Sequence, residues 1–263
     1  MTLPDSFLQS IIRSLDGPDV VGVTMSGSFA RNQDSRYSDV DIQCYVHVLP
    51  ERLYEHYILQ YVQGRLVSVK TLTVEEAQKH LTRPDKAIWA IPGLRLMNIL
   101  LDKEGILAGL KQAAEQADWS RLQTAANEFA ADELTGYAEE VHKLLDGLEQ
   151  DSESKVVYAV WGMVEGMART LAVHHGLLIP SENEFFQVVQ DSAGRASGWT
   201  RSFRIAAGMD PAPLNQSVYR VRGEAALRLY VYTARPLLES LPERYREVVG
   251  TALTLIQEAG IRV

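Results

Sequence analysis

The chain has 263 residues and a formal net charge of −8, from 26 Lys and Arg against 34 Asp and Glu. That length carries one large domain or two small ones, and the sign of the charge argues against a protein built to grip nucleic acid, where a basic footprint is expected. A single cysteine, Cys44, excludes an internal disulfide framework and a Cys-rich zinc site. No basic and apolar leader opens the sequence, and no apolar run reaches about 18 residues, so a soluble cytoplasmic protein is expected.

Residues 5–15 place Phe7, Leu8, Ile11, Ile12 and Leu15 on one helical stripe behind Asp5-Ser6, a capping pair, and Asp16-Gly17-Pro18 stops the helix. Val20 to Met25 is a short apolar run rich in β-branched residues and reads as a buried strand. A polar stretch from Ser26 to Ser38 follows. Asp39 to Val46 then alternates, with Val40, Ile42 and Cys44 on one face and Asp39, Asp41 and Gln43 on the other. Pro50 opens a predicted helix over 51–62, which Gly64 ends. Residues 65–72 read as a strand. Thr73 and Glu76 have capping-box spacing for a helix over 74–81. Residues 95–101 read as a further strand, with a helix as the alternative, and Glu104 to Gln116 as a helix. From Trp119 onward the periodicity is helical, over 119–148, 154–175, 182–191, 217–239 and 243–259.

The expected class is therefore α+β. A domain over 1–117, built on a mixed β-sheet with flanking helices, precedes an all-helical domain over 118–263. The charge is uneven across this division. Residues 118–191 hold 14 acidic and 4 basic side chains, net −10, whereas 192–263 hold 6 and 10, net +4.

The chemistry concentrates in Met25-Ser26-Gly27-Ser28-Phe29-Ala30-Arg31 and Tyr37-Ser38-Asp39-Val40-Asp41-Ile42. Two carboxylates on one strand face repel unless a cation lies between them, and Mg²⁺ is commonly held by one or two carboxylates plus substrate phosphates. Glycine lets backbone approach a phosphate closely, and the N–H groups that follow it bind phosphate oxygens together with the Ser28 hydroxyl. Gly27-Ser28, a spacer of ten residues, then Asp39-Val40-Asp41-Ile42 resembles the motif of the nucleotidyltransferase superfamily that includes DNA polymerase β. With a helical second half, the layout is similar to the aminoglycoside nucleotidyltransferases and related bacterial proteins.

The resemblance implies nucleotidyl transfer from ATP or another nucleoside triphosphate, with one or two Mg²⁺ ions held by Asp39 and Asp41. Gly27, Ser28, Arg31 and Lys70 are the nucleotide-binding candidates. Many members of the superfamily carry a third carboxylate on the neighbouring strand. Here that strand offers only Ser68 and Lys70 on its polar face, and Lys70 is expected either to bind triphosphate or to neutralise the aspartates.

The missing carboxylate directs attention to the helical half. Glu133, Tyr137 and Glu140 share one helix face, and Glu133 is the candidate general base. Glu165 has Arg169 four residues on as its expected partner. His174-His175, at a helix end, reads as favourable placement in the helix dipole rather than as a metal site.

These readings converge on transfer of a nucleoside monophosphate, AMP first, to a hydroxyl of a small acceptor. The acidic 118–191 stretch suggests a cationic, aminoglycoside-like acceptor, and no nucleic-acid or membrane partner is expected. The alternatives are an antitoxin-like or regulatory enzyme that modifies a protein, and a nucleotide-binding pseudoenzyme lacking the third carboxylate.

Overall fold

The computed structural model describes residues 3–213 and 215–263. It divides the chain into two units: Met1–Leu122 with Leu178–Glu182, and Gln123–Leu177 with Asn183–Val263. The short segment 178–182 thus returns to the first unit after the first two long helices of the second. Its Ile179 is buried, and the Ile179 N–H donates to the carbonyl of Ile88 at 2.8 Å.

The first unit opens with α1, Asp5–Leu15, which buries Phe7 and Ile11. The Asp5-Ser6 pair does not cap it. The N-cap position belongs to Pro4, whose carbonyl accepts from the Phe7 N–H at 3.0 Å, and Asp5 lies in the first turn, where a negative charge suits the helix dipole. Strand β1, Val20–Met25, is buried throughout. A four-residue helix, α2, Gly27–Ala30, leads toward β2, Val40–Val46.

The predicted helix over 51–62 is not formed. A single 3-10 turn at Leu53–Glu55 gives way to strand β3, Tyr57–Val62, paired antiparallel with β4, Arg65–Thr73, in the register Val62 opposite Arg65. The reason is local. Gln63 and Gly64 both have positive φ, 48° and 77°, the signature of a two-residue hairpin turn. The residues before them, Tyr-Ile-Leu-Gln-Tyr-Val, are aromatic and β-branched, which suits a strand.

The remaining elements of this unit are α3, Val74–Thr82; α4, Pro84–Leu96; β5, Asn98–Asp102; and α5, Ile106–Glu115. Thr73 caps α3 as its spacing predicts, accepting from the Glu76 N–H at 3.1 Å. Helix α4 was not anticipated. Pro84 begins it, where the missing N–H is harmless, and the strand expected over 95–101 starts only at Asn98.

The five strands form one mixed sheet in the order β3-β4-β2-β1-β5, with β2 and β4 parallel and the other neighbours antiparallel. Val40, Ile42 and Cys44 of β2 join a core with Phe7, Ile11 and Phe29. Tyr45 joins a second core with Leu72, Ala77, Leu94 and Leu107. Alternation therefore places Asp41 and Gln43 on the sheet face that α3, α4 and α5 cover further along.

The second unit is helical: α6, Gln123–Glu149; α7, Glu153–His174; α8, Phe185–Ala193; α9, Gly198–Ala206; α10, Val218–Ala234; and α11, Glu243–Glu258. Helix α7 has the length and mean hydropathy of a membrane span, but most of that segment is buried within the unit, including Val160, Met163 and Met167. Gly166 lets α6 approach, because a β-carbon there would overlap the Tyr137 ring. Helix α9 went unread in the sequence despite its cap, Ser197 Oγ accepting from the Thr200 N–H at 3.1 Å, and its buried stripe of Trp199 and Phe203.

Candidate active site

The end of β1, the turn into α2 and the start of β2 meet at one point. The Ser26 N–H donates to the Asp41 carbonyl at 2.9 Å, and Gly27 turns the chain with φ at 67°. A β-carbon on Gly27 would overlap the Asp41 carboxylate. The Gly-Ser turn and the second aspartate are therefore fitted to each other, and the glycine is required both by conformation and by space.

Asp41 lies opposite Ser68 in the parallel β2–β4 register, and the Ser68 hydroxyl donates to Asp41 Oδ1 at 3.0 Å. The strand position beside Asp41 is thus a buried serine rather than a carboxylate. Burial, and then the charge of Asp39, push the Asp41 carboxyl above its ordinary range, against the pull of the Ser68 hydrogen bond and of Arg31. Neither aspartate forms an ion pair among the described residues. Two under-neutralised carboxylates beside a cradle that only glycine permits suit a hard divalent cation, its remaining positions going to phosphate oxygens and water. No group of three His, Cys, Asp or Glu side chains forms a self-sufficient metal cluster among the described residues.

The other predicted residues are distributed as follows. Ser28 is half-buried in α2, and its carbonyl accepts from the Gln33 N–H at 2.9 Å. Arg31 lies near enough to act on Asp41, but its guanidinium is engaged, Nη1 with the Pro180 carbonyl at 3.0 Å and Nε with Gln33 Oε1 at 2.9 Å. Lys70 stands opposite Gln43, two residues along β2 from Asp41.

In the second unit, Glu133 Oε2 accepts from Arg169 at 2.7 Å. Arg169 is therefore bound more closely to Glu133 than to its expected partner Glu165, which is 4.0 Å away. Glu140 pairs with Lys143 at 2.7 Å. Burial, followed by the charges of Glu165 and Glu133, raises the Tyr137 hydroxyl pKa. His174 ends α7, as the sequence places it, and burial lowers both imidazole pKa values, which works against the charged form that a helix C-terminus favours.

One residue escaped the sequence reading. Glu182, carried back to the first unit on the 178–182 segment, is a further negative charge acting on Asp41. In the sequence, residue 182 only begins the helical segment predicted over 182–191. Nothing in the local pattern says that the chain revisits the sheet there.

Residues 8–92 match the nucleotidyltransferase domain family. This stretch runs from α1 through most of α4 and includes Gly27-Ser28 and both aspartates, so the match lies within the first unit. Across the whole chain, the fold is similar to a solved nucleotidyltransferase-like protein from Exiguobacterium sibiricum, at 12% identity and a TM-score of 0.52, over 96% of this chain and 79% of that one. No curated protein matches the sequence.

Proposed function

We propose that the protein transfers a nucleoside monophosphate, AMP from ATP, to a hydroxyl group of a small acceptor, with Mg²⁺ held by Asp39 and Asp41. The observation that carries this reading is the fit of Gly27 against the Asp41 carboxylate, on which the charge of Asp39 also acts, with neither aspartate in an ion pair among the described residues. Mg²⁺ bound there would supply charge neutralisation and Lewis-acid polarisation of the phosphate being transferred. The Gly27-Ser28 turn would lie against the phosphates, and Ser68 would hold the Asp41 carboxylate in one orientation. In the overall reaction the acceptor oxygen bonds to the α-phosphorus, the bond to the β-phosphate oxygen breaks, pyrophosphate leaves, and the hydroxyl proton passes to a base.

Glu182 has the stronger claim to be that base, since its charge already acts on Asp41 and it forms no ion pair among the described residues. Glu133 would have to act through Oε1, because Oε2 is taken by Arg169. The cationic-acceptor reading is supported by the net −10 of residues 118–191. Exposed Tyr158 and Trp161 on α7 are aromatic faces suited to ammonium groups.

Pyrophosphate release tests the proposal. The purified protein with Mg²⁺ and each of the four nucleoside triphosphates should release it in the presence of a hydroxyl-bearing acceptor from a panel of aminoglycosides and lincosamides. Asp41→Asn should abolish release. Silence of the wild-type protein with every pair would reject it. Glu182→Gln should lower kcat by about 10²-fold or more and remove the basic group from the pH profile, whereas Glu133→Gln should leave that profile in place.

A second reading is favoured by Ser68 in the position of the third carboxylate. A nucleotide-binding protein without turnover would bind ATP with Mg²⁺ in calorimetry and release no pyrophosphate with any acceptor.

A further inference from the structure

Two residues beyond Asp41 along β2, on the same sheet face, the first unit holds a cavity of about 220 Å³. Gln43, Tyr45, Lys70, His80, Lys86 and Trp89 are among the residues that line it. The β2–β4 register that sets Asp41 opposite Ser68 also sets Gln43 opposite Lys70, so all four share one face.

The polar groups of this cavity are donors and cations. Tyr45 donates its hydroxyl hydrogen to Gln43 Oε1 at 2.7 Å, which leaves the Gln43 amide NH₂ as the free end of that side chain. Burial lowers the His80 imidazole pKa, and the charges of Lys70, Lys86 and Arg83 add to this against the opposing pull of Glu76. No carboxylate lines the cavity. Glu76 is 3.9 Å from His80, and Asp85, 3.7 Å from Lys86, is shared with Arg83 at 3.1 Å. Lys70 has no carboxylate partner among the described residues. Two ammonium groups and a neutral imidazole around a recess without an acid form a focused positive site, complementary to an anion.

We propose that this cavity is a phosphate subsite, in which Lys70, Lys86 and Gln43 hold the anionic group of a ligand whose flat or apolar part lies against Trp89. Two residues of strand span about 6.6 Å, so the anion would sit one short step from the aspartate pair. It belongs to the phosphate tail of the nucleotide or to a phosphate on the acceptor. That link to transfer rests on the function proposed above; anion binding itself does not.

The experiment is calorimetric titration of the full chain with inorganic pyrophosphate in EDTA buffer. Wild type should bind, and Lys70→Gln/Lys86→Gln should weaken binding by about tenfold or more, with an unchanged far-UV spectrum and thermal melt. Lys79→Gln, on an exposed lysine already paired with Glu75, should bind as wild type does, and Asp41→Asn should bind at least as well as wild type while losing transfer. That last variant separates failure of the subsite from failure of the transferase reading. Absence of pyrophosphate binding by wild type, or equal affinity in the double lysine variant, overturns the proposal. Competition between pyrophosphate and ATP assigns the subsite to the nucleotide, and simultaneous binding of ATP and glucose 6-phosphate assigns it to the acceptor; both uphold it.

Discussion

The narrowest constraint in the molecule is one hydrogen atom at position 27. Gly27→Ala would force an L side chain to φ 67° and drive its β-carbon into the Asp41 carboxylate. We expect it to lower stability by more than about 1 kcal/mol and nucleotidyl transfer by about 10²-fold, since small misplacements of reacting groups act on rate to that degree. Urea unfolding and pyrophosphate release would measure the two effects. Asp41 itself should show the opposite balance. Its folded-state pKa is raised by burial and by Asp39, so the folded protein holds that proton more tightly than the unfolded chain does. The associated stability is fully present below the ordinary carboxylate pKa and is lost as pH rises through the raised value. At neutral pH the ionised Asp41 therefore opposes folding. In metal-free buffer, Asp41→Asn should therefore raise stability at neutral pH while transfer is lost. The gain should vanish in acid, where the wild-type carboxyl is protonated, and melting across pH 3–8 would display this.

Among the elements, the hairpin that joins β3 to β4 and the helices α3 and α6 show how local rules express themselves. Gly64 has φ 77° with open space around it, whereas Gly136 lies inside α6, also with open space. The same substitution should therefore act in opposite directions. Gly64→Ala should destabilise by about 1 kcal/mol through left-handed strain, and Gly136→Ala should stabilise by about 0.5–1 kcal/mol through helix propensity. Thr73→Ala removes the α3 cap and should lower stability by about 1 kcal/mol. Chemical denaturation of the three variants would establish the order. The β3 segment also shows where periodicity misleads. A helix read from Pro50 onward satisfied the start and stop signals, but the β-branched and aromatic content of residues 57–62 and the Gln63-Gly64 turn outweighed them.

For the molecule as a whole, the segment 178–182 matters more than its length suggests. It lies between two stretches of the helical unit in sequence, yet Ile179 is buried against the first unit and Pro180 accepts from Arg31. Ile179→Ala should lower the stability of the first unit by about 2–4 kcal/mol. Hydrogen exchange should report this as faster exchange in the sheet and α4, with α6 and α10 unaffected. The charge distribution also takes a more specific form. Of the acidic residues in 118–191, Glu133, Glu139, Glu140, Asp146, Asp151, Glu165 and Asp191 are paired with Arg or Lys, so the part of the −10 left to attract a cationic acceptor rests on the remaining carboxylates.

The sequence by itself determined the mixed α+β character, the strands that flank Gly27-Ser28 and Asp39, the Thr73 cap and most of the long helices. Each of these is written within a few neighbouring residues, as a two-residue alternation, a helical stripe or a fixed spacing between motif positions. Tertiary structure decided what depends on residues far apart in the chain. It seated Ser68 on Asp41, turned Arg31 to Pro180, tied Glu133 to Arg169, brought the charge of Glu182 to bear on Asp41, and gathered Lys70, His80 and Lys86 around one cavity. No local pattern encodes these pairings, because each is fixed by strand register and by the path of the chain between elements.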